Sequence, residues 1–235
     1  MRGEPAHSAG FMTRAPSTSP PLRALLRRGL AGLALGAVSA AMAGTPATVP
    51  DTLAQRMKAC GACHGRLGRP TQQGFFPRIA GKPAGYLYNQ LDNFRVGRRA
   101  YPTMTYFVGQ MSDAYLHEIA DHTAALDLPY APPQTVGAPP AEIALGEALV
   151  RRGDPARGIP GCVQCHGAAM TGVLPAIPGL LGLPRGYLVE QFGAWRTGQR
   201  KALAPDCMAR VATRLTAGDI TAVATWLSSQ PVALG

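Results

Sequence analysis

Leu87, Leu91 and Phe94 recur at i, i+4 and i+7, the spacing that gathers apolar side chains on one face of a helix. Leu188, Phe192 and Trp195 repeat that spacing further along the chain. Each stripe is predicted to follow a proline in its first turn, Pro83 or Pro184, where the missing N–H costs no hydrogen bond. Gly97 and Gly198 are placed to end these helices. A last helix opens in each half at Ser112 or Thr216, both good N-caps, and runs through Ile119 or through Val223 and Trp226. Shorter helices are predicted over Thr52 to Ala59 and over Glu142 to Arg152. No stretch alternates in the manner of a strand. The expected class is all-α, built twice.

The duplication is visible residue by residue. Cys60-Gly61-Ala62-Cys63-His64-Gly65 recurs as Cys162-Val163-Gln164-Cys165-His166-Gly167, and the run from Phe76 to Leu87 recurs from Ile177 to Leu188. Between the copies, Asp127 to Pro140 holds five prolines and no charge after its first residue, the composition of a stiff, partly extended linker. The predicted organisation is a leader over 1–43, a first domain over 44–130, a linker over 131–140 and a second domain over 141–235.

The 235 residues carry a formal charge of +10. Five arginines and one glutamate fall in the first 43 residues, so the remainder is only mildly basic, at +6. No basic stripe interleaved with aromatics appears, which argues against nucleic acid as a partner. Arg23, Arg27 and Arg28 precede the apolar run Gly29 to Ala41, which is short for a membrane span, and Ala41-Met42-Ala43 fits a signal-peptidase site. Cleavage after Ala43 and export to the periplasm are expected, with Met12 an alternative start. Membrane contact is then peripheral, or made through a leader that stays uncleaved.

Cys-x-x-Cys-His is the attachment pattern of c-type haem. Two thiols three residues apart on one turn reach the two vinyl groups along one porphyrin edge, and the next residue lies beneath the ring, where imidazole binds iron. Cys60 and Cys63 with His64, and Cys162 and Cys165 with His166, are the candidate sites for two covalent haem c groups. A thioredoxin-type pair would need a βαβ context, and a zinc site would need more thiols than the single remaining Cys207.

The sixth iron ligand must come from the opposite face of each ring. Met104 and Met111 are the candidates in the first half, Met170 and Met208 in the second. Met104 lies eight residues before the Ser112 cap and Met208 eight before the Thr216 cap, so the repeat favours this pair. His/Met ligation raises the potential and leaves iron no vacant position, which favours electron transfer over catalysis. The carbonyls of Pro77 and Pro178 are the expected acceptors for the second ring nitrogen of each histidine. Tyr86 and Tyr187, Arg95 and Arg196, and Arg99 and Arg200 recur at matching offsets. They are candidate partners for haem propionates, or else part of a solvated helix face.

These motifs, together with the Pro-x-x-x-Gly loops, the Gly-Tyr-Leu helix starts and the methionines before the last helices, resemble the di-haem class I cytochromes c, the cytochrome c-four group. The likeness runs from about Thr52 to Leu227. It implies two cytochrome c folds with their haems facing across a pseudo-two-fold interface. It also implies electron shuttling in the periplasm, from a quinol-oxidising complex or a dehydrogenase to a terminal oxidase. Three departures stand out. Phe107 occupies a place where the group often has a second methionine, the connection Gly153 to Gly161 is long, and Cys207 lies beside Met208. Cys207 is read as a small buried hydrophobe, as half of an intermolecular disulfide, or as a replacement iron ligand like that of di-haem thiosulfate dehydrogenases. No nucleophile–base pair is evident and no catalytic residue is assigned. An electron carrier is expected, with a docked dehydrogenase subunit or a thiosulfate dehydrogenase-like enzyme as rivals.

Overall fold

A computed structural model describes residues 50–69 and 76–232. The expected leader and its cleavage site lie outside the described residues. The first half begins with α1 (Leu53–Arg56) and α2 (Lys58–His64), separated at Met57. Thr52 caps α1, its hydroxyl accepting from the Gln55 N–H at 3.2 Å. Helical structure therefore continues through the cysteine motif instead of stopping at Ala59. Gly65 ends α2 with φ of 76°, and a Cβ there would lie 2.2 Å from the Arg69 carbonyl oxygen. That turn requires glycine.

α3 (Ala84–Arg95), α4 (Pro102–Val108) and α5 (Asp113–Ala124) complete the first half, α3 packing on both of the others. Pro83 stands just before α3, one residue earlier than predicted, as Pro184 does before its counterpart. Ser112 caps α5 through Tyr115 N–H at 3.2 Å. α4 carries Met104 and has no apolar stripe long enough to announce it.

The second half is α6 (Pro140–Arg151), α7 (Val163–His166), α8 (Arg185–Arg196), α9 (Cys207–Arg214) and α10 (Ala217–Ser229). Two antiparallel ladders are added: β1 (Gly153–Asp154) with β2 (Ile159–Pro160), and β3 (Gly172–Val173) with β4 (Ile177–Pro178). Two residues per strand are too few to show alternation, so the sequence pattern missed them. They pin the loops before and after α7 and leave the all-α class intact. α6 crosses α10 at Gly146, where a Cβ would lie 2.2 Å from the Ala222 carbonyl oxygen. Thr216 and Asp219 cap α10 reciprocally, each side chain accepting the other's backbone N–H.

Residues 126–139 have no regular secondary structure, and Pro140 already belongs to α6. This segment is tied at both ends. Arg78 donates to the carbonyls of Leu128 and Pro129 and stacks over Tyr130, while Gln134 N–H donates to the Ser228 carbonyl at 2.9 Å. The halves also join directly: Ala100 N–H donates to Gln199 O at 2.7 Å and Lys201 N–H to Arg98 O at 2.8 Å, around a β-bridge between Arg99 and Arg200.

Candidate functional site

Each cysteine motif sits on one helical turn, so Cys60 and Cys63 share an edge of α2 and His64 follows at its end. The loop after the motif returns Pro77 to the histidine. His64 Nδ1 lies 3.3 Å from Pro77 O, and His166 Nδ1 lies 2.7 Å from Pro178 O. A carbonyl accepts only, so each Nδ1 carries the hydrogen and Nε2 is left as the lone-pair nitrogen. Burial pushes both imidazoles below their usual pKa, which the carbonyl contact partly offsets. Neutral imidazole is the form that binds iron. Burial raises the Cys60 thiol and pushes that of Cys162 up to about 11. None of the four motif cysteines pairs with another in a disulfide.

In the first half a cavity of about 320 Å³ is lined by Cys60, Cys63, His64, Leu87, Phe94 and Met104. Met111 lines it too, but from the turn between α4 and α5, where its carbonyl accepts from Arg95 Nη1 at 3.1 Å. In the second half His166 is buried, Met208 packs against the apolar core and Met170 lies within that core. Cys207, by contrast, is exposed at the first residue of α9, its sulfur 3.7 Å from Arg210 Nη2. It is not a buried hydrophobe.

Where the halves meet, Tyr86, Tyr187, Arg99 and Arg200 interlock with Gln90 and Gln191. Arg99 donates to Gln90 at 3.0 Å, to Gln191 at 2.7 Å and to Tyr187 at 3.2 Å. Arg200 donates to Gln191 at 2.5 Å, to Gln90 at 3.1 Å and to Tyr86 at 3.4 Å. Among the described residues neither guanidinium forms an ion pair. Burial alone would raise the Tyr86 phenol, yet Arg200 and Arg99 together bring it below its usual value. This is a largely buried positive field, with Glu190 the nearby carboxylate that acts on Arg99 without pairing to it.

Arg95 and Arg196 do not join it, and both lie on the helix face that was the alternative to a propionate role. Arg95 is one residue beyond Phe94 and so about 100° further round the helix. It pairs with Asp92 at 2.6 Å and with Asp113 at 2.5 Å. Arg196 lies exposed at the end of α8.

A haem needs a mostly apolar slot, two thiols at one edge, an axial imidazole and partners for two carboxylates. The residues present fit that group. One further donor fits as well: Trp195 Nε1 is buried with no hydrogen-bond partner, beneath Arg200, whose guanidinium lies 3.9 Å from the ring centre. Sequence reading placed Trp195 only in a helix stripe. The single signal of another role was that it stands where the first copy has Phe94.

A helical chain with two such turns defines a c-type cytochrome holding two haems. No protein-family model matches it. It is similar to the thiosulfate dehydrogenase electron acceptor of Thiomonas intermedia, with 36% identity over 208 residues, covering 88% of this chain and 93% of that protein. Cytochrome c4 of Pseudomonas aeruginosa is 34% identical over 206 residues, covering 86% of this chain and 94% of the relative. Among solved structures, reduced cytochrome c4 from Pseudomonas stutzeri superposes with a TM-score of 0.65 at 29% identity, covering 75% of this chain and 95% of that one. The chain belongs to the cytochrome c4 family. It carries two covalently attached haem c groups and transfers electrons between redox proteins.

Proposed function

We propose that the protein is a periplasmic carrier that accepts single electrons from a dehydrogenase and passes them to a further redox protein. Cys60 and Cys63 would hold the first haem, with His64 and Met104 on its iron; Cys162, Cys165, His166 and Met208 would hold the second. When bound, haem iron would supply a one-electron couple in each half. The proline carbonyls fix the tautomer and ring orientation of each histidine and would hold Nε2 ready to bind iron. Arg99, Arg200, Tyr86, Tyr187 and Trp195 offer hydrogen bonds to propionates where the halves meet, which would bring the two cofactor edges together. The observation that carries this reading is the pair of contacts from His64 to Pro77 and from His166 to Pro178.

Two relatives are thiosulfate dehydrogenase electron acceptors, from Thiomonas intermedia and Stutzerimonas stutzeri. A likeness also extends to part of the thiosulfate dehydrogenase TsdBA of Marichromatium purpuratum, with TM-score 0.66 at 31% identity, covering 36% of that chain. Thiosulfate dehydrogenase is therefore the donor we favour. An acceptor, not the enzyme itself, is the role consistent with Cys207 exposed and Met208 packed inward.

The test is mixing purified oxidised protein with thiosulfate, with and without a thiosulfate dehydrogenase, while following haem absorbance. Two covalent haems per chain, both low-spin, and reduction only when the dehydrogenase is present are expected. Thiosulfate oxidation by the chain alone, or protein lacking covalent haem, would overturn the proposal.

A further inference from the structure

The repeat is broken at one interfacial charge. Gly81-Lys82-Pro83 stands where the second copy has Gly182-Leu183-Pro184. Leu183 is buried within its own half. Lys82 instead crosses to the other half, where its ammonium donates to the Gly179 carbonyl at 3.1 Å. Gly179 follows Pro178, whose carbonyl holds His166 at 2.7 Å. The charge thus sits one peptide away from the backbone that orients the second histidine.

The first histidine has no such contact on the loop that holds it. The residue matching Gly179 is Arg78, and its guanidinium turns away to the carbonyls of Ala80, Leu128 and Pro129. Arg99 and Arg200 donate across the halves almost symmetrically, but the cation that acts on His64 is Arg99, whereas the one that acts on His166 is Lys82. Lys82 forms no ion pair among the described residues. The groups acting on its charge are Tyr187, Arg78 and Arg200, and burial lowers its pKa to about 8, which leaves it mostly protonated at neutral pH. Lys82 also lines the first cavity.

We propose that Lys82 is a positioning charge that reaches across the interface and holds the reduction potential of the second haem above the value it would otherwise have. Ferric haem carries one more positive charge than ferrous haem, so a fixed cation nearby favours the reduced form, and the more so away from bulk water. The asymmetry gives electrons a direction, because the second centre is made the better acceptor.

This inference rests on the ligand reading above, and the experiment separates the two. Spectroelectrochemical titration of the di-haem protein is compared for the wild type, Lys82→Gln and Lys82→Arg. Met104→His and Met208→His serve to assign the couples, each lowering the potential of its own haem. Glutamine keeps a donor for the Gly179 carbonyl while removing the charge. The expected result is that Lys82→Gln lowers the couple assigned by Met208→His by up to about tenfold in its redox equilibrium, about 59 mV for one electron. The other couple moves less, and Lys82→Arg keeps the wild-type separation. An equal or larger shift of the couple assigned by Met104→His would overturn the inference, as would no shift at all; the first would place Lys82 on a propionate of the first haem. If Met208→His moves neither couple, the ligand reading itself fails and this inference falls with it.

Discussion

The first half of the molecule has a small apolar centre of its own, Phe94, Val108 and Leu116 with Leu91, Met104 and Met111 packed around it. The second half buries a continuous cluster that joins Leu149 and Val150 of α6, Leu188 and Phe192 of α8, and Val223, Trp226 and Leu227 of α10. The leading helices differ in the same direction. α1 is a single turn before the motif, whereas α6 is twelve residues long and locked onto α10 at Gly146. One repeat unit therefore has two solutions to the problem of a small core. The second half is held by protein packing, and the first leaves much of that task to the cofactor filling its cavity.

The most severe test of this contrast is removal of the attachment thiols. In Cys60→Ser/Cys63→Ser the first haem is lost, and amide protection across α3 and α5 is expected to fall towards that of an unfolded chain. In Cys162→Ser/Cys165→Ser the second haem is lost, but α6 and α10 should stay protected. Hydrogen exchange on both variants is the measurement, and equal loss in both halves would dissolve the distinction. A large but smaller effect is expected from Leu227→Ala in the second core, about 2–5 kcal/mol by chemical denaturation. Both haems should remain attached in that variant, since no site residue is touched.

What the sequence disclosed follows the range of each interaction. The cysteine motifs, the helix caps at Ser112 and Thr216 and the stops at Gly97 and Gly198 are local chemistry, readable from a few neighbours. The pairing of Arg95 with Asp92 and Asp113 was not legible, because a matching offset in a repeat does not say which way a side chain leaves its helix. α4 and the two ladders were missed because a run of seven residues, or strands of two, is too short to establish a period. Lys82 and Trp195 show in the sequence only as breaks in the repeat, against Leu183 and Phe94. Their meaning depends on contacts between the halves, which no spacing along the chain encodes.

The surfaces around the two candidate methionines sharpen the comparison at intermediate strength. α4 presents Tyr106, 83% exposed, and Phe107, 51% exposed, whereas α9 presents Arg210 and Arg214 to solvent. If each half meets a different partner, their rates should respond differently to salt. Arg210→Glu should slow electron transfer with the partner of the second half, most at low ionic strength, because steering between charges fades as the Debye length falls below about 10 Å. Tyr106→Ser should slow exchange with the partner of the first half and leave its salt dependence unchanged. Stopped-flow rates across a salt series check both, and a salt-insensitive Arg210→Glu would remove the cationic docking face.

The smallest effect concerns Asp219, the buried carboxylate that closes the cap of α10. Arg157 donates to it at 2.7 Å and the Thr216 N–H at 2.8 Å. The Arg157 hydrogen bond is the main cause of its pKa lying below the usual carboxylate value, and burial opposes it. A carboxylate depressed in the folded state binds fewer protons there than in the unfolded chain, so its contribution is complete above about pH 4 and is lost as pH falls through the folded value. Asp219→Asn should cost about 0.5–2 kcal/mol at neutral pH, the range of a lost cap. It should also flatten the acid limb of the stability curve of the second half. Denaturation midpoints between pH 5 and pH 2 for both proteins are the check. The first half has no counterpart to this contact, since Tyr115 stands three residues after Ser112 where a capping carboxylate would be, and its acid sensitivity should be unchanged by the substitution.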